Sequence, residues 1–494
     1  MTWQIPDCSE LRARAAKVSL PNKMLVGDEL CDARSGRRID VIDPYHETVI
    51  GTIPAGGRED ATAAVAAARK AFEDGPWPRM SGRERARYLF RVAEMIRERQ
   101  EEFAIIECLD NGKPVRESQW AAPVAAEVFE YYAGWADKYY GEVVPLKTPH
   151  LNIVTREPIG VVAAIIPWNF PTTQATFKTV PAIAMGNSVI LKPAEQCSLA
   201  ALRIGELCRD AGIPAGVWNV VTGIGEEAGA ALCDLEEVDA VAFTGSTETG
   251  RLVMQAASST LKRVSLECGG KSPNIIFADA DLDAAVKGAF VGMFYNQGEV
   301  CNAGSRVLVQ DEVYDVVVER LVQMATNMRL GDPLDQNTQM GCLVSDEQLQ
   351  RNLQYIELGV EEGATVVTGG KRWGSCGYFL QPTIFTDVES EMRIAQEEIF
   401  GPVLTILRFS TIEEAIHIAN DSVFGLAAGL WTRDIHTAHY VSQRLQCGTV
   451  WVNLFGPFDI ASPWTGYKQS GLGTEWGRNM LDFVTQPKSV WFSR

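Results

Sequence analysis

Long apolar runs are missing from this sequence of 494 residues. Nowhere do about 18 apolar residues follow one another, which is the length that a helix needs to cross a membrane. Residues 1–20 include Asp7, Arg12 and Lys17, so they do not form the apolar core of a signal peptide. We therefore predict a cytoplasmic protein without a membrane partner.

Basic residues, histidine and paired cysteine motifs are also scarce. Lys and Arg number 45 against 63 Asp and Glu, a formal net charge of −18, which argues against nucleic acid and anionic membranes as partners. The 11 cysteines are odd in number and form no C-x-x-C pair, so we expect reduced thiols. The five histidines include one close pair, His436 and His439, with no third ligand nearby, so we predict no metal site.

Short apolar runs that alternate with helical patterns are abundant. This alternation predicts the α/β class, with two doubly wound parallel-sheet domains, because a strand covered by helices on both faces is apolar throughout. Ser81 is a predicted N-cap, and Lys488–Ser493 reads as an exposed edge strand. The predicted helices are Asp60–Phe72, Ser81–Glu102, Pro171–Ala184, Leu199–Ala211, Glu226–Cys233, Thr247–Ala257, Ala284–Phe290 and Val313–Met328, and the predicted strands are 151–157, Val161–Ile166, Ser188–Leu191, Val217–Val221, Ala240–Phe243, Asn274–Phe277, Ser305–Val309, Ala364–Thr368, Thr405–Phe409 and Thr449–Val452.

One cysteine lies in a segment of small polar residues and glycines, which is not typical of a hydrophobic core. Cys301 lies between small polar residues and glycines, and Glu267 lies in a glycine-rich turn of its own. A thiolate is a strong nucleophile, and a carboxylate can serve as its general base. A papain-like protease would also need a histidine partner, and the nearest in sequence, His417, lies in no recognisable catalytic motif.

An asparagine follows the predicted strand Val161–Ile166, where parallel sheets bind ligands. The Asn169 amide could stabilise a developing oxyanion, which is worth roughly 2.7–4 kcal/mol per donor. Without further context, a helix-capping role for this asparagine is the simpler reading.

Lys192 and Glu195 stand at the end of the next predicted strand, where they could bind a ribose diol or form a surface pair. If the ligand is a nicotinamide dinucleotide, Glu195 favours NAD over NADP, because a carboxylate and a 2′-phosphate about 4 Å apart repel each other by roughly 4 kcal/mol at an effective dielectric of 20. The turns at Gly223–Gly225 and Gly245–Gly250 could meet a pyrophosphate, but neither fits the G-x-G-x-x-G pattern.

Taken together, these segments resemble the aldehyde dehydrogenase superfamily, in its non-acylating, NAD-linked branch. The resemblance runs from about Gly36 to the C-terminus. It rests on seven motifs in order: PWNFP at 167–171, KPAE at 192–195, FTGS at 243–246, ECGGKSPN at 267–274, NQGEVCNAGSR at 296–306, EEIFGPV at 397–403 and GYKQSG at 466–471.

The resemblance implies oxidation of an aldehyde to its acid. Cys301 would attack the aldehyde, and the Asn169 side chain and the Cys301 backbone N–H would hold the oxyanion. Glu267 would then activate the water that hydrolyses the thioester, with Lys178 and Glu475 assisting proton transfer. The implied NAD-binding residues are Ile166, Trp168, Lys192, Glu195, Gly225, Gly245, Ser246, Gln348, Glu398 and Phe400.

The resemblance also implies that the chain divides into domains and that several copies form a homo-oligomer. Residues 1–137 and 158–267 would form the Rossmann-like NAD-binding domain, and residues 268–479 the catalytic domain. Residues 138–157 and 480–494 would form a small β oligomerisation element, in a homodimer or a homotetramer.

The substrate is less closely defined, because the chain departs from the family pattern. The family often has Leu at the position of Cys268, and Pro-Phe-Gly-Gly-Tyr where this chain has Pro463–Tyr467, so Trp464 is expected to narrow the inner site. An aromatic lining favours an uncharged aromatic or medium-chain aliphatic aldehyde, and a cationic aldehyde anchored by Asp459 is the alternative. The implied substrate residues are Phe170, Gln174, Phe177, Tyr295, Val300, Asn302, Phe458, Asp459 and Trp464.

Two further functions stay open from the sequence. A CoA-acylating dehydrogenase would release its thioester to CoA, but Glu267, as a base poised to activate water, would compete with that transfer. A structural or binding protein that uses the same fold would not need Cys301, Glu267 and Asn169 together.

Overall fold

The structure, a computed structural model, describes residues 3–493 and contains short, mostly buried strands between helices. Every residue of Val161–Ile166 is buried, as expected for a strand with helices on both sides. The strands are β1 Met24–Val26, β2 Glu29–Cys31, β3 Arg38–Asp43, β4 Thr48–Pro54, β5 Glu142–Val144, β6 Leu151–Pro158, β7 Val161–Ile166, β8 Ser188–Pro193, β9 Trp218–Val220, β10 Ala240–Thr244, β11 Arg263–Glu267, β12 Pro273–Ile276, β13 Arg306–Gln310, β14 Thr365–Thr368, β15 Thr383–Thr386, β16 Val403–Phe409, β17 Phe424–Gly425, β18 Ala427–Trp431, β19 Thr449–Val452, β20 Tyr467–Lys468, β21 Gly471–Leu472 and β22 Thr485–Phe492.

The helices cover both sheets and begin at recognisable caps. Ser81 accepts a hydrogen bond from the Glu84 N–H and forms a capping box, which confirms the predicted N-cap. The helices are α1 Cys8–Ala15, α2 Arg58–Glu73, α3 Gly82–Glu98, α4 Gln100–Asn111, α5 Val115–Ser118, α6 Ala121–Trp135, α7 Pro171–Ala184, α8 Leu199–Asp210, α9 Ala230–Asp234, α10 Thr247–Ala257, α11 Leu282–Phe294, α12 Tyr314–Thr326, α13 Asp346–Glu361, α14 Arg393–Gln396, α15 Ile412–Asn420, α16 Ile435–Ser442 and α17 Met480–Phe483.

Two large sheets dominate the architecture, which confirms the predicted α/β class. The first sheet has the order β2-β1-β9-β8-β7-β10-β11-β21, with parallel pairing from β9 to β11. The second has the order β14-β15-β16-β13-β12-β18-β19 and is parallel except for β14. A third sheet, β22-β6-β5, is antiparallel and contains the predicted strands 151–157 and 488–493, the latter at its edge.

Two helix predictions differ from the structure. The predicted helix Ser81–Glu102 breaks at Arg99, whose φ of −108° and ψ of 25° are not helical, before α4 begins. The predicted helix Glu226–Cys233 opens with one wide turn, Gly225–Gly229, of the π type. The apolar period continues across both irregularities, so it does not reveal them.

Late segments of the chain return to the first sheet. Strand β21 pairs with β11 beside Glu267, and Trp464, Trp476 and Met480 lie in the same apolar core as β7 and β8. The division into an NAD-binding domain, a catalytic domain and an oligomerisation element stays a prediction. Within residues 3–493, no helix combines the length and the apolar character needed to cross a bilayer.

Candidate active site

The predicted site lies where loops of the two large sheets meet. The first sheet contributes residues that follow its strands: Asn169 follows β7, and Glu267 ends β11. The second sheet contributes residues that precede its strands: Cys301 precedes β13, and Glu398 precedes β16. Since the chain passes from one sheet to the other directly after Glu267, its motifs meet at one junction.

Two glycines make the close approach at this junction feasible. A Cβ atom on Gly269 would overlap the carboxylate of Glu398, and a Cβ atom on Gly270 would overlap the carbonyl oxygen of Cys301. The Gly270 N–H also donates a 2.9 Å hydrogen bond to the Glu398 carboxylate. Glycine is therefore required at Gly270, where the obstacle is backbone, whereas a side chain at Gly269 would force the Glu398 carboxylate to move.

The side chain of Cys301 is partly buried and lies near two carboxyl groups. Burial raises the pKa of Cys301 to about 12, and the nearby carboxyl groups of Glu398 and Glu267 add to the increase. The backbone N–H groups of Cys301 and Asn302 oppose this shift. The residue is therefore a protonated thiol at neutral pH in this state, and it must lose its proton before it can attack.

Glu267 is a buried carboxyl group whose oxygens have no hydrogen-bond partner. Burial raises its pKa well above the usual range, Glu475 adds to the increase, and Lys178 and the side chain of Trp464 oppose it. Lys178 and Glu475 form a buried ion pair with each other. Glu475 and Trp464 are also joined by two backbone hydrogen bonds of 2.7 and 2.8 Å. The predicted base and relay residues thus form one electrostatically coupled group.

Asn169 is buried and is oriented by the loop that contains the thiol. Its side-chain amide donates a 2.9 Å hydrogen bond to the carbonyl oxygen of Glu299, two residues before Cys301. An amide group has two N–H donors, so one remains for another acceptor. The structure therefore places an amide donor beside the nucleophile loop, as the sequence predicts.

Predicted cofactor residues line one side of this junction. The rings of Trp168 and Phe400 meet edge to face at 5.3 Å. Gln348 donates hydrogen bonds to the carbonyl oxygens of Ile399 and Phe400, so its amide supports the loop that presents Phe400. Phe400 itself has a φ of 65°, a conformation that needs such support.

The other predicted cofactor residues lie at the ends of the first sheet's strands. Lys192, with a side chain 3% exposed, approaches Glu195 at 3.2 Å. Ser246 caps α10 by accepting a hydrogen bond from Thr249, and Gly245 lies directly before it. Gly225 has open space where a Cβ would stand, and Ile166 is buried at the end of β7.

Aromatic rings form a continuous wall on the opposite side. Phe177 lies 4.9 Å from Trp476 and 6.3 Å from Phe458, and Trp476 lies 5.0 Å from Trp464. Phe458 is 51% exposed whereas Trp464 and Trp476 are each 8% exposed, so the wall leads from the surface to the interior. Cys301 packs against the apolar core that contains Phe177 and the two tryptophans.

The other six predicted substrate residues differ in burial and in their contacts. The rings of Phe170 and Tyr295 stack with centroids 6.2 Å apart. Gln174 is partly buried, and its side-chain oxygen has no partner. The exposed Asp459 accepts a 2.8 Å hydrogen bond from the Ala461 N–H, so its carboxylate caps its own loop. Val300 and Asn302, the two neighbours of Cys301, are also partly buried.

The sequence model of the Aldehyde dehydrogenase family matches residues 31–490. The chain belongs to this family. It is an NAD-dependent aldehyde oxidoreductase, as predicted from the motifs.

Known relatives cover almost the whole dehydrogenase chain. It is 47% identical to the mitochondrial benzaldehyde dehydrogenase of Antirrhinum majus, over 95% of this chain and 88% of the relative. It is 44% identical to the betaine aldehyde dehydrogenase of Bacillus subtilis, over 95% of this chain and 96% of the relative. An aldehyde dehydrogenase of Bacillus cereus, solved as a complex with NAD+, has a TM-score of 0.96 and 46% identity, with 97% of this chain and 98% of that chain covered.

The cofactor side of the dehydrogenase has features that fit NAD. The N-terminus of α10, just after Gly245 and Ser246, offers N–H groups to an anionic pyrophosphate. Lys192 and Glu195 offer a cation and a carboxylate to a ribose diol. The open space at Gly225 allows a ligand to approach the backbone closely.

Sequence reasoning missed two residues that contact predicted site residues. Trp476 was not predicted although it follows Glu475, and its indole N–H is buried without a partner. Lys113 was also missed: its ammonium group lies 4.3 Å from the centre of the Phe170 ring and pairs with Glu107 at 2.7 Å. No local motif marks either residue, because each reaches the site through contacts with distant segments.

Proposed function

We propose that this aldehyde dehydrogenase oxidises an uncharged aromatic or medium-chain aliphatic aldehyde. The observation that carries the proposal is the aromatic wall of Phe177, Phe458, Trp464 and Trp476, which leads from the exposed Phe458 to buried rings of the apolar core against which Cys301 packs. Such a wall stabilises an apolar substrate by burial and by ring-to-ring contacts, which contribute about 0.5–1.5 kcal/mol each.

The charged groups near the wall support an uncharged substrate. Lys113 pairs with Glu107 and Lys178 pairs with Glu475, so neither lysine offers a free ammonium group to a substrate carboxylate. Lys113 also occupies a position over the Phe170 ring that a cationic substrate would otherwise use. These two pairings disfavour acid semialdehydes and reduce the cation-binding capacity of Phe170.

Cys301 is the proposed nucleophile. After its thiol loses a proton to solvent water, the sulfur bonds to the aldehyde carbon, and the carbonyl oxygen becomes the oxyanion of a thiohemiacetal. The free N–H of the Asn169 amide and the backbone N–H of Cys301 would hold this oxyanion, which is worth roughly 2.7–4 kcal/mol for each donor.

Bound NAD+ supplies the acceptor for the hydride that leaves the thiohemiacetal carbon. Lys192, Glu195 and Glu398 are proposed to hold its riboses, with Phe400 and Trp168 beside the nicotinamide. Ile166, Gly225, Gly245 and Ser246 would line the rest of the binding cleft. The hydrogen bond from Gly270 to Glu398 fixes that carboxylate where both large sheets meet.

Glu267 is the proposed base for hydrolysis of the resulting thioester. It would take a proton from a water molecule as the water oxygen bonds to the thioester carbon, and the thiolate of Cys301 would then leave. The unpartnered carboxylate oxygens of Glu267 are available for this water. Lys178 and Glu475, which are electrostatically coupled to Glu267, would pass the proton onward.

A cationic aldehyde is the second candidate substrate. The 44% identity to a betaine aldehyde dehydrogenase and the aromatic rings of the wall favour it. Asp459 could approach a cation, but it is exposed and already accepts a hydrogen bond from its own loop. The 47% identity to a benzaldehyde dehydrogenase favours the uncharged class instead.

We also propose that the sheet β22-β6-β5 joins subunits into a homodimer or a homotetramer. Val143 of the edge strand β5 is 66% exposed, and Trp491 of the other edge strand, β22, is 58% exposed. Edge strands with exposed apolar side chains favour pairing with another chain. Light scattering of the purified protein, which measures its mass in solution, tests this proposal.

An aldehyde panel tests the proposed substrate class. NADH formation would be compared for phenylacetaldehyde, benzaldehyde and hexanal against aminobutyraldehyde and betaine aldehyde. We expect kcat/KM to be at least about tenfold higher for the uncharged aldehydes, which corresponds to roughly 1.4 kcal/mol of transition-state discrimination. A preference for the cationic aldehydes would overturn the uncharged class and assign the wall to cation binding.

A further inference from the structure

Asn296 lies between the loop that contains the nucleophile and the loop that contains Asn169. It is completely buried. Its side-chain amide donates hydrogen bonds to the carbonyl oxygens of Asn169, at 3.1 Å, and of Glu299, at 3.2 Å. The Asn169 amide donates to the same Glu299 oxygen. The two asparagines therefore share one acceptor, and Asn296 ties the two loops together.

This arrangement limits the orientation of the Asn169 amide. Its bond to Glu299 uses one N–H, and the planar geometry of the amide then fixes the direction of the second. An oxyanion donor stabilises the transition state only when it is held within about 0.5 Å and 10–20° of the productive geometry. Asn296 holds the backbone on both sides of that bond, at Asn169 and at Glu299.

The backbone around Asn296 is itself unusual. Asn296, Gln297 and Gly298 have φ values of 47°, 56° and 73°, so three consecutive residues are left-handed. Such a conformation persists only where the surroundings impose it. The Glu117 carboxylate, from the distant helix α5, accepts a 2.9 Å hydrogen bond from the Asn296 N–H. Glu117 thus anchors the turn from outside.

We propose that Asn296 is a positioning residue that orients the Asn169 amide toward the oxyanion formed at Cys301, and that Glu117 holds Asn296 in place. The inference rests on the oxyanion role of Asn169 given under the proposed function. Asparagine suits the position for two reasons, because it tolerates a left-handed backbone and supplies two amide donors.

A double-mutant cycle tests this inference. Asn169→Ala should reduce kcat by about 10²–10³-fold, the loss typical of an oxyanion donor. Asn296→Gly keeps the left-handed backbone but removes the amide, and we expect kcat to fall by about 10–100-fold with the KM for NAD+ changed less than about twofold. In the Asn169→Ala background, Asn296→Gly should cost less than about threefold, because residues that act as a unit are not additive.

Gln297→Gly is the matched control, since it removes another left-handed side chain, one that donates to neither the Asn169 nor the Glu299 carbonyl oxygen. It should retain kcat within about twofold of the native value. Asn296→Asp is a second variant with a side chain of nearly the same shape. It replaces the amide NH₂ donor by a carboxylate oxygen, which would face the carbonyl oxygens of Asn169 and Glu299. We expect kcat to fall at least as far as it does in Asn296→Gly. A melting temperature near the native value would show that this fall is not due to unfolding.

Glu117 provides a rescue test. Glu117→Gln keeps an oxygen that can accept the Asn296 N–H and should retain kcat within about threefold, whereas Glu117→Ala should lose about tenfold. Additive losses in the double mutant, or an equal loss with Gln297→Gly, would overturn the positioning role while leaving the proposed reaction intact. Failure of the native protein to form NADH with any aldehyde would overturn the proposed function, and the inference with it.

Discussion

The two sides of Cys301 differ in how they are built. The cofactor side uses polar residues that are neighbours in sequence, such as Lys192 and Glu195 at the end of one strand. The aldehyde side uses aromatic rings from separate segments, so that Phe177 of α7 contacts Trp476, about 300 positions further along the chain. Hydrogen bonds and charges organise the first side, whereas burial and ring packing organise the second.

The difference between the two sides bears on the hydrogen bonding and the pKa of the predicted reactive carboxyl groups. On the cofactor side, Glu398 is anchored by the Gly270 N–H. Near the aromatic wall, Glu267 has no hydrogen-bond partner, and burial raises its pKa well above the usual range. A buried carboxyl group holds its proton more strongly, and burial also raises the pKa of Glu398 to about 7, so the hydrogen bond from Gly270 only partly offsets the effect of burial on the cofactor side.

The largest expected effect comes from the residue that both sides share. Cys301→Ser should reduce NADH formation by about 10⁴-fold or more, because the reaction loses its nucleophile. Steady-state NADH absorbance measures the loss. The exposed Cys376 offers a control, and Cys376→Ser should keep native activity. Near-native NADH formation by the Cys301 variant would refute the covalent mechanism.

Glu267→Gln should have the next largest effect, and only on the second half of the reaction. Loss of the base should slow thioester hydrolysis by about 10²–10⁴-fold. The first turnover should still release about one NADH per site, so a rapid burst followed by a slow phase is expected in stopped flow. A slow first turnover would instead assign Glu267 to the attack step, and intact-mass measurement of the acyl-enzyme distinguishes the two.

The raised pKa of Cys301, caused first by desolvation and then by the nearby carboxyl groups, predicts a strong pH dependence of its alkylation. The thiolate is the reactive form, and its fraction rises with pH up to the pKa of about 12. The rate of alkylation by iodoacetamide in the absence of cofactor should therefore increase about tenfold per pH unit from pH 7 to 10. Mass spectrometry of the peptide that contains Cys301 measures this rate. A plateau below pH 8 would contradict the role of burial.

Trp476→Leu should change the aldehyde side alone. We expect the ratio of kcat/KM for phenylacetaldehyde over hexanal to fall by about tenfold, because ring contacts to Phe177 and Phe458 are lost. The KM for NAD+ should stay within about twofold of the native value. Trp373 is 40% exposed and lies outside the wall, so Trp373→Leu is the matched control.

Glu195→Gln should change the cofactor side alone and by the smallest amount. Removal of the carboxylate should improve kcat/KM with NADP+ relative to NAD+ by about tenfold or less, since the side chain is 28% exposed and solvent weakens the repulsion. The order of preference among aldehydes should not change. A shift in aldehyde preference would show that the two sides are coupled.

Local patterns predicted the parts of the molecule that depend on neighbours in sequence. The β–α alternation gave the two parallel sheets, and the motifs brought Cys301, Glu267 and Asn169 to one junction. The break at Arg99 was not predicted, because both α3 and α4 keep an apolar face. Trp476 and Lys113 were missed, because their contacts with Phe177 and Phe170 join segments that are remote in sequence, and no spacing rule connects them.

The sequence by itself determined the fold class, the family and the cofactor, and it predicted the reactive groups, because each follows from short motifs and their order. Only the tertiary structure decided the state of those groups. It partly buried Cys301 near Glu398, left the Glu267 oxygens without a hydrogen bond, and placed Asn296 between two loops. Proton affinity and orientation depend on the dielectric and the neighbours in space, which a linear sequence does not contain.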